Sequence, residues 1–115
     1  MIKTLLLTIT LCTLGQSAAH RAWIDYAEQD GQLRVQGKFL NQSTRVDTLQ
    51  YKLTTVRQGQ AGNSQSTQAG RFVAPINKEI VLTQTTVSVE LGDTYTIQLE
   101  IFRGDTVYIQ DQVVH

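Results

Sequence analysis

Hydrophobic and polar residues alternate along most of this chain. Leu33, Val35 and Phe39 share one parity, and Arg34, Gln36 and Lys38 take the other. Leu49, Tyr51 and Leu53 interleave with Gln50, Lys52 and Thr54. Tyr95, Ile97, Leu99 and Ile101 interleave with Thr96, Gln98 and Glu100. A period of two places successive side chains on opposite faces, which is the mark of a strand with one buried face. No stretch of comparable length after residue 20 has helical spacing.

Turn chemistry falls between these runs. Asp30-Gly31 separates a first strand from a second, and residues 41–44 form a polar break. The stretch 59–63 reads as a loop whose two glycines supply positive φ. Ala74-Pro75-Ile76-Asn77 ends another strand, and Leu91-Gly92-Asp93 and Arg103-Gly104-Asp105 read as tight hairpins. The pattern predicts seven strands, near 22–27, 33–40, 48–58, 64–74, 79–90, 94–103 and 106–114. Their number and spacing predict an all-β, seven-stranded immunoglobulin-like β-sandwich, with a small closed barrel as the rival. Abundant Val, Ile, Thr and Tyr agree with strands.

The first nineteen residues depart from the pattern. Lys3 precedes an apolar run from Leu5 to Leu14, and Ser17 and Ala19 offer small residues at a cleavage site. This is the pattern of a secretory signal peptide, and the run is shorter than the roughly 20 residues that a bilayer span needs. The expected organisation is a signal peptide over 1–19 and one sandwich domain over 20–115, exported to the periplasm. Cys12 lies in the leader, so the domain has no cysteine and depends on its hydrophobic core. The disulfide of antibody domains is absent, and the single Trp, Trp23, lies in the first strand, so the likeness is one of architecture.

Charge and chemistry narrow the function. Formal net charge is zero for the whole chain, and losing Lys3 with the leader leaves the domain slightly acidic. A nucleic-acid binder would normally be basic. No second apolar run offers stable membrane insertion. His20 and His115 stand at opposite ends of the domain, there is no thiol, and the acids are scattered over turns and polar faces. No nucleophile–base pair or glycine-rich phosphate loop emerges, so neither an enzyme nor a cofactor is expected. A copper reading rests on His20 becoming the first residue after cleavage, with His115 as the other imidazole.

Amide content is the unusual feature: thirteen of residues 20–115 are glutamine, among them Gln36, Gln50, Gln65, Gln98 and Gln110 on outward positions. Read plainly, this is a neutral, soluble β surface. A sharper reading is a surface that hydrogen-bonds an extended, amide-rich partner, since exposed edge strands template pairing with another chain. Lys38, Lys52, Arg57, Arg71 and Lys78 are the candidate partner-binding residues, drawing acidic segments by salt-sensitive attraction.

One segment carries a recognisable motif. Arg57-Gln58-Gly59-Gln60-Ala61-Gly62-Asn63-Ser64-Gln65 is followed by Pro75-Ile76-Asn77, by Ile80-Val81-Leu82-Thr83 and by the hairpin near Asp93. This resembles the curli assembly family of CsgC and CsgH, over about 33–113 and most closely over 57–83. The resemblance implies a periplasmic immunoglobulin-like sandwich that inhibits premature fibre formation by the curli major subunit, unfolded or as an early oligomer. Some members carry a Cys-x-Cys pair before the loop. Asp47 and Leu49 stand at those positions here, which excludes a redox role and favours the cysteine-free CsgH branch. Arg57 alone of the five cations lies on the motif. The expectation is a monomeric, non-enzymatic chaperone, with a structural or adhesive fibre subunit as the alternative.

Overall fold

A computed structural model describes residues 19–115. The segment read as a signal peptide lies outside the described residues except for Ala19, whose carbonyl accepts a hydrogen bond from the Gln42 N–H at 2.7 Å.

Seven strands follow in order: β1 (His20–Gln29), β2 (Gln32–Asn41), β3 (Asp47–Gly59), β4 (Gly62–Ala74), β5 (Glu79–Ser88), β6 (Thr94–Arg103) and β7 (Thr106–Val114). They form two antiparallel sheets of order β1-β2-β5 and β4-β3-β6-β7. The expected seven-stranded sandwich is therefore present. Its fourth strand joins the sheet of the third, whereas in a constant-type immunoglobulin domain the fourth strand lies in the sheet of the first.

Alternation decides which residues fill the space between the sheets. Leu33, Val35 and Phe39 of β2 meet Leu49 and Leu53 of β3 and Ile97, Leu99 and Ile101 of β6, all at most 2 % exposed. Gly37 occupies the inward position between Val35 and Phe39. A Cβ there would lie 3.2 Å from Leu99 Cδ1, so the missing side chain lets Leu99 reach across. Asn41, at the inward end of β2, is fully buried but satisfied. Its amide donates to the carbonyls of Arg45 and Ala74 at 2.8 and 2.9 Å, and its Oδ1 accepts from the Ser43 N–H and hydroxyl. A satisfied buried network of this kind fixes one conformation of the 41–45 loop.

Three boundaries differ from the sequence reading. The β3–β4 ladder runs to the Gly59↔Gly62 pair, which leaves a tighter turn than the expected loop. Only Gly62 of its two glycines has positive φ, at 124°. β5 stops at Ser88 because Val89 turns inward to 6 % exposure and its N–H donates to Gly31 O at 2.9 Å. β1 begins at His20, drawn in because the imidazole is itself buried.

The two open sides of the sandwich are closed unequally. Between β1 and β7, Asp111 Oδ2 accepts from the main-chain N–H of Ile24 at 3.1 Å. Between β4 and β5 the bridge is the Gln68 side chain, whose Oε1 accepts from the Thr83 hydroxyl at 2.5 Å and whose Nε2 donates to Gln84 O at 3.5 Å.

Candidate partner-binding surface

The five cations fall in four places. Lys38 lies on the outer face of the three-stranded sheet, where its ammonium is 2.9 Å from Asp25 and 3.6 Å from Glu79. The hydrogen bond to Asp25 raises its pKa above the ordinary lysine value. Lys78 is exposed on the connection between β4 and β5. Arg57 follows Leu49, Tyr51, Leu53 and Thr55 at inward parity, so it leaves the strand on the face opposite Lys52. Lys52 and Arg71 are the only two that the fold brings to a common face.

Arg57 serves the fold. Its Nη1 lies 3.1 Å from Asp93 Oδ2, and the two side chains are only 15 % and 4 % exposed. Its Nε donates to Ser64 Oγ at 3.2 Å, and the same Asp93 oxygen accepts the Glu90 N–H at 2.8 Å. The β3–β4 hairpin is thereby clamped to the turn that enters β6. Gly59 completes the clamp, since a Cβ built there would stand 1.8 Å from Asp93 Oδ1. The Arg-x-Gly of the motif thus has a steric and electrostatic reason: the arginine grips the aspartate and the glycine leaves room for it.

The outer face of the four-stranded sheet is read from the register. Its rows include Gln65–Val56–Thr96–Val114, Thr67–Thr54–Gln98–Gln112, Ala69–Lys52–Glu100–Gln110 and Arg71–Gln50–Phe102–Val107 across β4, β3, β6 and β7. The cations Lys52 and Arg71 lie on β3 and β4. Glu100 of β6 and Asp105 of the β6–β7 turn are the acids on the opposite side. The face is thus polarised rather than uniformly basic. A depression of about 620 Å³ reaches from Lys52, Ala69 and Arg71 across to Phe102 and Asp105. Phe102 was not among the candidate residues of the sequence reading. Its parity with Gln98 and Glu100 is the signal that places an aromatic on the outside.

The two imidazoles do not converge. His20, 3 % exposed, bonds Tyr108 Oη through Nδ1 at 2.7 Å, with its ring 5.5 Å from that of Phe39. His115 stacks on Tyr95 at 4.9 Å. Tyr108 and His115 are seven residues apart along β7 and its end, a separation of ~23 Å. Among the described residues no three His, Cys, Asp or Glu side chains group around a metal-sized site.

Burial lowers the pKa of His20 below 6.5; the Asp47 carboxylate opposes this and the Arg103 guanidinium adds to it. The unfolded chain then binds the imidazole proton more tightly than the native state. This contribution to stability is complete above pH 6.5 and is lost as pH falls through the folded pKa. Urea midpoints are expected to fall on acidification across that window, and His20→Gln is expected to flatten the slope. An unchanged slope in the variant would contradict the assignment.

Comparison with known proteins follows the same outline. The family of thin aggregative fimbriae synthesis proteins, Tafi-CsgC, matches over residues 23–113. Among solved structures, CsgH of R. palustris in solution is 23 % identical, with a TM-score of 0.64, covering 83 % of this chain and 91 % of its own. The curli protein CsgC of E. coli is 18 % identical, with a TM-score of 0.69, covering 82 % of this chain and 97 % of its own. At these identities the two structures speak to the fold. No curated protein sequence matches. The family match runs from Trp23 in β1 to Val113 in β7 and so takes in every strand of the sandwich; the chain belongs to the Tafi-CsgC family of thin aggregative fimbriae synthesis proteins.

Proposed function

We propose that this protein serves thin aggregative fimbriae (curli) synthesis as a non-catalytic, periplasmic binding protein that restrains the curli major subunit from assembling early. In this reading residues 1–19 direct export and are removed, and residues 20–115 act as a monomer. The observation that carries the proposal is the basic half of the outer face of the four-stranded sheet. There Lys52 and Arg71 stand exposed among glutamine and threonine rows, beside Phe102.

The physical logic is capture before alignment. An amyloid nucleus requires several chains to stack their strands in register. A surface that weakly engages one chain by charge and hydrogen bonds lengthens the time to that first alignment. Since nuclei are rare, far fewer copies of the inhibitor than of the subunit suffice. Lys38, Arg57 and Lys78 have smaller parts in this account: the first is paired, the second clamps the fold, and the third lies on the connection away from the β3–β4 ladder.

A partition experiment separates this from the fibre-subunit alternative. Purified curli major subunit is allowed to assemble with residues 20–115 present at a few mole per cent, and fibres are then pelleted. An inhibitor is expected to delay assembly and stay in the supernatant. A chain that enters the pellet in constant ratio without delaying assembly is a structural subunit, and the proposal fails.

A further inference from the structure

We infer that the β4 edge is the docking site, and that its occupant is an extended, amide- and hydroxyl-rich strand of the restrained subunit with an acidic residue facing Lys52 and Arg71. This rests on the function proposed above and specifies how the partner is held.

The four edge strands of the sandwich are β1, β4, β5 and β7. Natural sheets blunt their edges with bulges, proline, charge, short length or a covering element, because a bare edge pairs with other chains. Three of the four edges carry such a device. Asp111 of β7 places a carboxylate on the Ile24 N–H of β1, so that side is closed by an acid. The β7 ladder is broken between Ile101 and Phe102, and that of β5 between Gly37 and Lys38.

β4 differs in each respect. It is thirteen residues long, and its register to β3 is unbroken from Asp47↔Ala74 to Gly59↔Gly62. At about 3.4 Å per residue it presents a continuous edge of ~44 Å. Pro75 lies just beyond its end, and Arg71 is its one charged residue. Among the described residues no main-chain hydrogen bond joins β4 to β5, and Gln68 alone reaches across. On this side the link is a side chain that leaves the β4 main chain uncapped, whereas on the other side a carboxylate caps the Ile24 N–H of β1.

Chemistry selects the occupant. A strand added outside β4 would extend the outer rows that end in Gln65, Thr67, Ala69 and Arg71. Main-chain bonds would hold any sequence, and side chains facing these rows would specify it. Glutamine, asparagine, serine and threonine match Gln65 and Thr67 by amide and hydroxyl bonding, and a carboxylate matches Arg71 and Lys52. A basic or strongly apolar strand fits neither.

Backbone amide exchange on labelled residues 20–115 tests this without any variant. On adding monomeric curli major subunit, alternate β4 amides are expected to exchange about tenfold more slowly or more, with little change on β1 or β7. Ala69→Lys supplies a second test with an opposed sign. It adds a cation beside Lys52 and Arg71, so attraction by the face alone would strengthen the delay of fibre formation. A lysine on the edge obstructs strand addition, so docking at β4 would lose most of the delay. A delay kept or enhanced by Ala69→Lys, or β4 amides that stay unprotected while wild type delays assembly, overturns the edge inference and leaves the proposed function standing. Protection of β4 by the chain alone, with doubling of its hydrodynamic mass, would make a second copy the occupant and also overturn it. If wild type gives no delay at all, the proposed function falls first.

Discussion

Asp93→Ala is expected to lower the unfolding free energy by about 3–5 kcal/mol, the range for removing one partner of a buried ion pair. The substitution strands the Arg57 guanidinium at 15 % exposure with Ser64 Oγ as its remaining side-chain partner, and it deprives the Glu90 N–H of its acceptor. A domain of this size has roughly 5–15 kcal/mol in total. The variant should therefore unfold at much lower denaturant and populate unfolded chain near body temperature. Gly59→Ala attacks the same clamp from the other side, because its methyl overlaps the position of Asp93 Oδ1. The two changes should be less than additive: the three atoms nearest that methyl all belong to the Asp93 carboxylate and leave with it. Urea unfolding of the two single variants and the double variant measures this. Strict additivity would mean that Gly59 acts through something other than Asp93.

Lys52→Glu with Arg71→Glu is expected to abolish most of the delay of fibre formation while leaving the urea midpoint nearly unchanged. Both side chains are exposed and, among the described residues, neither has an ion pair within 4.0 Å, so the cost to the fold is that of a carboxylate placed opposite Glu100, about 0.2–1 kcal/mol. The partner, in contrast, would meet four acids where it met two cations and two acids, counting Glu100 and Asp105. Raising the salt concentration should weaken the wild-type effect in the same direction, because exposed charges are screened over about 8–10 Å at physiological ionic strength. Lys38→Gln supplies the control. It lies on the other sheet, so its loss should leave the delay intact. A double variant that folds and delays assembly as wild type does would remove the electrostatic part of the account.

Much of the fold could be read from the chain, because in strands the local and the global signal coincide. Leu49, Tyr51 and Leu53 face inward for the same reason that they alternate with Gln50, Lys52 and Thr54. Asp30-Gly31 turns the chain because both residues take positive φ, at 53° and 76°. The assignment of β4 to the second sheet was not legible. An edge strand with a polar, small-residue sequence pairs equally well on paper with either neighbour, and the long β3–β4 ladder settles it.

The candidate site was legible only in part, and Arg57 shows why. Parity alone puts it on the inward side of β3 with Thr55, which argues against its use as a surface charge. Its partner Asp93 stands 36 residues away, a separation at which no local pattern operates. Read as a binding cation, it is in place a clamp. The pairing of Lys38 was hidden for a similar reason: the acids that hold it come from two other strands, β1 and β5. Lys52 and Arg71 come together because the register sets Lys52 beside Ala69 and Arg71 beside Gln50, two residues apart on one face of adjacent strands.

The central claim is that this domain, by binding alone, slows the first steps of curli subunit assembly. Thioflavin fluorescence of purified curli major subunit, with folded residues 20–115 added over a range from well below to equal molar ratio, tests it most directly. The account expects the lag to lengthen already at a few mole per cent, with the growth rate after the lag little changed. A lag indistinguishable from that of the subunit alone, at every ratio up to equimolar, would contradict it.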